Sequence, residues 1–180
     1  MRIHTILFQT ALKNSLPIWI RNLKNNGVDG LQIYVMNKDH FLWEKTISFA
    51  EACSWKAGPY LAGMMRSGKM TDIERVIAAC ADDEIIGFCT LSEKDELPDK
   101  YHYTPFIGFV FVDEKARGRR VSGKMIDAAS EYALNTGYEY VYIISGEAGL
   151  YEKYGFEKIG DVDTIYGSVE QLFQKKLLNS

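Results

Sequence analysis

The pattern of apolar and polar positions changes period several times along the chain, and each change predicts an element. Residues 31–36 (L-Q-I-Y-V-M) alternate weakly and are rich in strand formers, so they predict a first strand. Residues 39–52 set apolar side chains at near-helical spacing behind Asp39, a residue suited to capping, and predict a helix. The pattern breaks at Gly58-Pro59, and residues 60–65 predict a second short helix ending at Ser67-Gly68. Two apolar runs follow, residues 75–81 and 84–91, split by Asp82-Asp83 in the manner of an antiparallel hairpin. Residues 104–112 (T-P-F-I-G-F-V-F-V) are the most hydrophobic run; too short for a typical helix, they read as a central strand. Residues 121–135 carry Val121, Met125, Ile126, Ala129, Tyr132 and Ala133 on one side and stop before Gly137, which predicts an amphipathic helix with a glycine cap. Residues 138–144 form another buried strand. Strand, turn, helix and strand make a βαβ unit, whose two strands are parallel neighbours. The fold class is α/β, of the α+β type: a mixed sheet with helices packed on it.

The Asn25-Asn26-Gly27 turn signal closes a polar and aromatic segment containing Pro17 and Trp19. Residues 1–27 therefore read as a helical extension packed on a domain of residues 28–180. A length of 180 residues suits one domain with a terminal addition. With 47% apolar and 25% charged residues, the chain lies outside the regime of disorder. A net charge of -3 and scattered Lys and Arg give no footprint for nucleic acid. No stretch approaches the ~18 apolar residues of a membrane helix, and the first residues lack the apolar core of a leader. A cytoplasmic protein without a membrane partner is expected. Cys53, Cys80 and Cys89 are odd in number and show no C-x-x-C spacing, so they read as reduced thiols. His4, His40 and His102 are equally scattered, and no metal site is expected.

The chemically informative segment is residues 109–126, F-V-F-V-D-E-K-A-R-G-R-R-V-S-G-K-M-I. It sets Arg117, Gly118, Arg119, Arg120, Ser122, Gly123 and Lys124 between the end of a buried strand and the start of a helix. Unpaired N–H groups and the positive dipole end make a helix N-terminus an anion site. Glycines permit close backbone approach, Ser122 can cap or donate a hydrogen bond, and the cations add charge. A diphosphate site and a solvated basic turn both fit these residues. A nucleotide P-loop does not, because Lys124 is followed by Met125.

Strand and turn together resemble the signature of the GNAT superfamily of acyl-CoA-dependent N-acetyltransferases. In that signature Gln or Arg precedes two variable residues, a Gly, one more variable residue, and Gly or Ala. Arg117 matches the first position, whereas Arg120 and Ser122 stand where the family has small residues. A second match lies in L-Y-E-K-Y-G-F-E-K-I-G, residues 150–160, where Tyr151, Lys153, Gly155 and Phe156 occupy the positions of the family's late aromatic motif. Both stand in the family's order and cover residues 106–160.

The resemblance implies a mostly antiparallel central sheet with a splayed parallel pair, and acetyl-CoA or a related acyl-CoA as cosubstrate. It implies cofactor contacts at Val110, Phe111 and Val112 through the splayed strand, at Arg117, Gly118, Arg119, Arg120, Val121, Ser122, Gly123 and Lys124 through the turn, and at Tyr154. Tyr151 then protonates the departing CoA sulfur, unless it is only a packing aromatic. Residues 104–112 hold no carboxylate to serve as base, which leaves Glu147, or Ser145 with a water chain. By the same analogy Trp55, Tyr60 and Phe106 border an amine acceptor, although Trp55 and Tyr60 would equally serve to close the core. A homodimer is compatible with the family, and residues 166–178 offer an edge strand for it. Two other readings remain at this point: a non-catalytic acyl-CoA-binding regulatory module, and a nucleotide or phosphometabolite binder.

Overall fold

The computed structural model describes residues 30–178, and the helical extension expected over residues 1–27 lies outside them. In chain order the elements are β1 (Gln32–Met36), α1 (Trp43–Ala52), α2 (Gly58–Ser67), β2 (Arg75–Ala81), β3 (Glu84–Ser92), β4 (Phe106–Val112), α3 (Val121–Asn135), β5 (Tyr140–Ser145), β6 (Glu157–Asp163) and β7 (Val169–Lys176). The strands form one seven-stranded sheet in the order β1-β2-β3-β4-β5-β7-β6. Every neighbouring pair is antiparallel except β4 and β5, which are parallel, as the βαβ reading requires.

Helices cover both faces of the sheet. On one face Met125, Ile126, Ala129 and Ala133 of α3 pack on Ile77, Cys89, Leu91 and Ile107. On the other, Ile47 and Ala50 of α1 with Leu61 and Met65 of α2 pack on Val76, Ala78, Phe88 and Phe111. Successive residues of β2 and β3 thus face opposite apolar layers, which explains why these strands read as continuous apolar runs. Full burial of side chains such as Phe88 and Met125 contributes about 1.5–3 kcal/mol each.

Local chemistry fixes the connections. Asp82 and Asp83 both adopt positive φ, 50° and 63°, the geometry of a tight hairpin turn that matches strand twist. The first helix starts four residues later than its polar start signal suggests. Asp39 does not cap it; the Leu42 amide donates to Nδ1 of His40 at 3.2 Å, and the Trp43 amide to the His40 carbonyl. Gly58-Pro59 is the first turn of α2 rather than a break, because proline's missing N–H is harmless there. A β-carbon at Gly58 would lie 2.3 Å from the Ala50 carbonyl oxygen and 2.3 Å from Cys53 Sγ, so glycine lets α2 close against the end of α1.

At the C-terminal end the expectation of an edge strand over residues 166–178 is corrected. β7 is inserted between β5 and β6, pairing with both, and β6 is the edge. Among the described residues no helix is long and apolar enough to cross a membrane. Gly58→Ala forces backbone to move at the α1–α2 junction and is expected to lower stability by about 1–3 kcal/mol. The check is a lower urea midpoint with an unchanged slope.

Candidate active site

The site begins with an irregularity in β4. Phe88 pairs with Phe111 and Thr90 with Gly108, so two residues of β4 oppose Cys89 alone. This is a β-bulge, and Phe109 within it has φ of 50°, a left-handed conformation that costs a bulky residue roughly 1–2 kcal/mol. On its other side β4 meets β5 at one pair, Phe106 with Tyr142, after which the two strands diverge. Backbone from Gly108 to Val112 therefore carries no ladder partner from β5. A wedge opens between two strands, lined by polar main chain.

The basic turn lies at the end of β4. Arg117 folds back, its Nε donating to the Val112 carbonyl at 3.3 Å. Arg120 is the residue before α3 and has φ of 57°, the left-handed region. That region is one a glycine enters at little cost, so a side chain is carried here on glycine-like backbone. No side chain caps α3, so Ser122 is not its cap and the first-turn N–H groups face the turn. The Ser122 hydroxyl instead hydrogen-bonds the Tyr154 hydroxyl at 2.8 Å. Gly123 is needed beneath that contact, since a β-carbon there would come within 3.0 Å of the Tyr154 ring.

Tyr151 and Tyr154 are the ends of a 3-10 turn closed by Gly155 at φ of 83°. Tyr151 is buried, its ring against Phe156 and Phe173 with centroids 6.2 and 5.6 Å away. Burial raises the Tyr151 phenol above the ordinary tyrosine range, and a hydrogen-bonding interaction with the Ser145 side chain partly opposes this. The phenol is therefore protonated at neutral pH. It borders a 400 Å³ cleft together with Val110, Glu147, Trp55 and Asp95.

The aromatic candidates fall apart into two groups. Trp55 and Tyr60 are 37% and 63% exposed, and Trp55 also stacks on the core residue Phe111 with ring centroids 6.2 Å apart. Both meet Phe109, with centroids 6.0 Å and 6.1 Å from it, the Tyr60 ring stacked nearly parallel. Phe106, by contrast, is 1% exposed and packs with Val162 and Leu172; it borders a different, 720 Å³ cleft.

Two site residues escape the sequence reading. Phe109 looked like one more apolar strand residue, and no local pattern marks its positive φ. Asp95 sits in the polar β3–β4 connection, where a carboxylate is unremarkable in sequence. Folding brings it against the bulge, with Oδ2 3.3 Å from where a Gly108 β-carbon would stand. Its Oδ1 accepts the Glu96 amide hydrogen bond at 2.7 Å. Burial pushes the Asp95 carboxyl up to about 6, against the lowering effect of that hydrogen bond. Asp95 borders the 400 and 720 Å³ clefts and a third, of 190 Å³, that Tyr60 also lines.

Known proteins share the fold. The chain is similar in fold to the aminoglycoside 6'-N-acetyltransferase from Enterococcus faecium, with a TM-score of 0.63 at 14% identity over 82% of this chain and 98% of that one. A GNAT family acetyltransferase from Elizabethkingia anophelis with acetyl-CoA bound gives 0.57 at 18% identity, over 83% and 100% of the two chains. A GNAT family N-acetyltransferase from Escherichia coli in complex with CoA gives 0.61 at 17% identity, over 84% of each. No curated protein sequence matches the chain. The sequence model of the Acetyltransferase (GNAT) family, however, matches residues 38–156, from before α1 through the late aromatic motif, and the chain belongs to that family.

Proposed function

We propose that the chain is an N-acetyltransferase that moves the acetyl group of acetyl-CoA directly to an amine. The observation that carries this reading is the wedge between β4 and β5, with its bulge at Phe109 and the basic turn at its far end. An extended pantetheine arm fits such a wedge as an added strand would, by hydrogen bonds to free main chain. The identities of Val110, Phe111 and Val112 matter little to that contact. The diphosphate falls on the turn from Arg117 to Lys124, where helix N–H groups and cationic side chains converge, with Tyr154 packed under Gly123.

The thioester then lies in the cleft bordered by Val110 and Tyr151. A main-chain N–H at the bulge polarises its carbonyl, and the Tyr151 hydroxyl protonates the leaving sulfur. Trp55, Phe109 and Tyr60 give the acceptor side of the cleft an aromatic wall, which favours a cationic amine with a flat or apolar body. Glu147, at the cleft's edge, adds negative charge that attracts such a cation.

Tyr151→Phe keeps the ring packing but loses the proton. It is expected to lower kcat by about 10²- to 10⁴-fold, with acetyl-CoA affinity little changed. Thiol release with an amine panel and calorimetric titration measure the two; unaltered turnover contradicts the acid role. Arg120→Gly separates backbone from charge. The variant is expected to gain about 1 kcal/mol in urea unfolding by relieving the left-handed residue. Its CoA binding is expected to weaken by about two- to fivefold through loss of one exposed cation.

A further inference from the structure

The reaction needs a neutral amine, whereas most alkyl amines arrive as ammonium ions. β4 contains no carboxylate to take the proton. Three carboxylates border the cleft that also holds Tyr151, those of Asp95, Glu96 and Glu147, and their settings differ: Glu96 is exposed on the β3–β4 connection. Glu147 is exposed on the loop after β5. Asp95 is recessed, with one oxygen fixed by the Glu96 amide and the other turned toward Gly108, at the start of the bulge. Its neighbours at that face are Thr90, whose Oγ1 is 3.4 Å from the same Gly108 position, and the aromatic wall built on Phe109. Gly108 has no side chain to intervene between Asp95 and the cleft.

Resting on the transfer reading above, we infer that Asp95 is the proton acceptor for the incoming ammonium, because it is the recessed carboxylate that shares the bulge and the cleft with Tyr151. The ammonium N–H bond breaks and an Asp95 O–H bond forms. The freed lone pair makes the C–N bond to the thioester carbon. As the C–S bond breaks, the sulfur takes the Tyr151 proton, and the tyrosinate recovers one from the acylated nitrogen. The Asp95 proton leaves to solvent, which balances ammonium plus acetyl-CoA against amide, CoA and one proton.

Several titratable groups border the same clefts: Lys94 and Glu96 beside Asp95 in the chain, Glu74 from before β2, and Tyr60 from α2. Tyr166 comes from the β6–β7 turn, and Glu147 and Tyr151 from the segment after β5. Burial sets the Asp95 carboxyl at about 6, with the Glu96 charge adding to the rise and the Glu96 amide opposing it. The basic form therefore prevails above about pH 6 and is lost below it. The folded protein holds this proton more tightly than the unfolded chain, so the carboxylate lowers stability as pH rises through about 6. Asp95→Asn is accordingly expected to be no less stable than the parent at pH 8, which separates loss of activity from loss of fold.

The test compares Asp95→Asn, Asp95→Glu and Glu147→Gln with the parent, using 2-phenylethylamine, charged at neutral pH, and phenylhydrazine, largely neutral there. For Asp95→Asn, kcat/KM with 2-phenylethylamine is expected to fall by about 10²- to 10⁴-fold, and with phenylhydrazine by less than about tenfold. Acetyl-CoA affinity stays unchanged, the acid limb near pH 6 disappears from the pH profile, and Asp95→Glu recovers part of the rate. Equal losses with both amines, a retained acid limb, or a larger effect of Glu147→Gln overturns the assignment. If the parent transfers acetyl to neither amine nor to any of a wider panel, the transfer reading itself fails, and this inference with it.

Discussion

The parting of β4 from β5 is the constraint on which the rest of the site depends. Neighbouring strands normally satisfy each other's main chain, and an unsatisfied buried N–H or C=O is costly. Here the parallel pair is held at one point, Phe106 with Tyr142, and then released. The release is stabilised from outside the pair. β4 remains anchored to β3 on its other edge, and β5 to β7, while α3 spans the gap from the end of β4 to the start of β5. The insertion of β7 between β5 and β6 matters for this reason: β5 needs a full antiparallel partner if it is to leave β4.

The bulge at Phe109 turns that gap into a chemical site. One extra residue opposite Cys89 shifts the outward direction of β4 and sends the Phe109 ring toward Trp55 and Tyr60. Gly108, beside it, leaves room for Asp95 to approach. On the opposite wall Tyr151 is held by Phe156 and Phe173, so its hydroxyl has little freedom. A buried phenol, a carboxylate and an aromatic wall therefore line one cleft beside one irregularity in one strand.

The layered architecture was legible in sequence because it rests on periodicity. The apolar runs of β2, β3 and β4 and the one-sided stripe of α3 all follow from burial, and their order gave the parallel pair. The turn and the late aromatic motif were legible because close approach demands particular residues, as Gly123 under Tyr154 and Gly155 at positive φ show. What escaped depends on long-range contacts. β6 (E-K-I-G-D-V-D) is a polar edge with most of its residues exposed, and carries little apolar signal. Phe109 is marked only by its φ, and Asp95 only by the bulge it packs against. Arg120 departs from the family pattern in sequence, and its left-handed backbone carries no mark in the residue type.

A crystal structure with acetyl-CoA bound tests the central claim most directly. The account predicts pantetheine along the β4–β5 wedge, with the thioester carbonyl within hydrogen-bond distance of main-chain N–H between residues 108 and 112 and the diphosphate against residues 117–124. A cofactor seated elsewhere, with the main chain of β4 untouched, would contradict it.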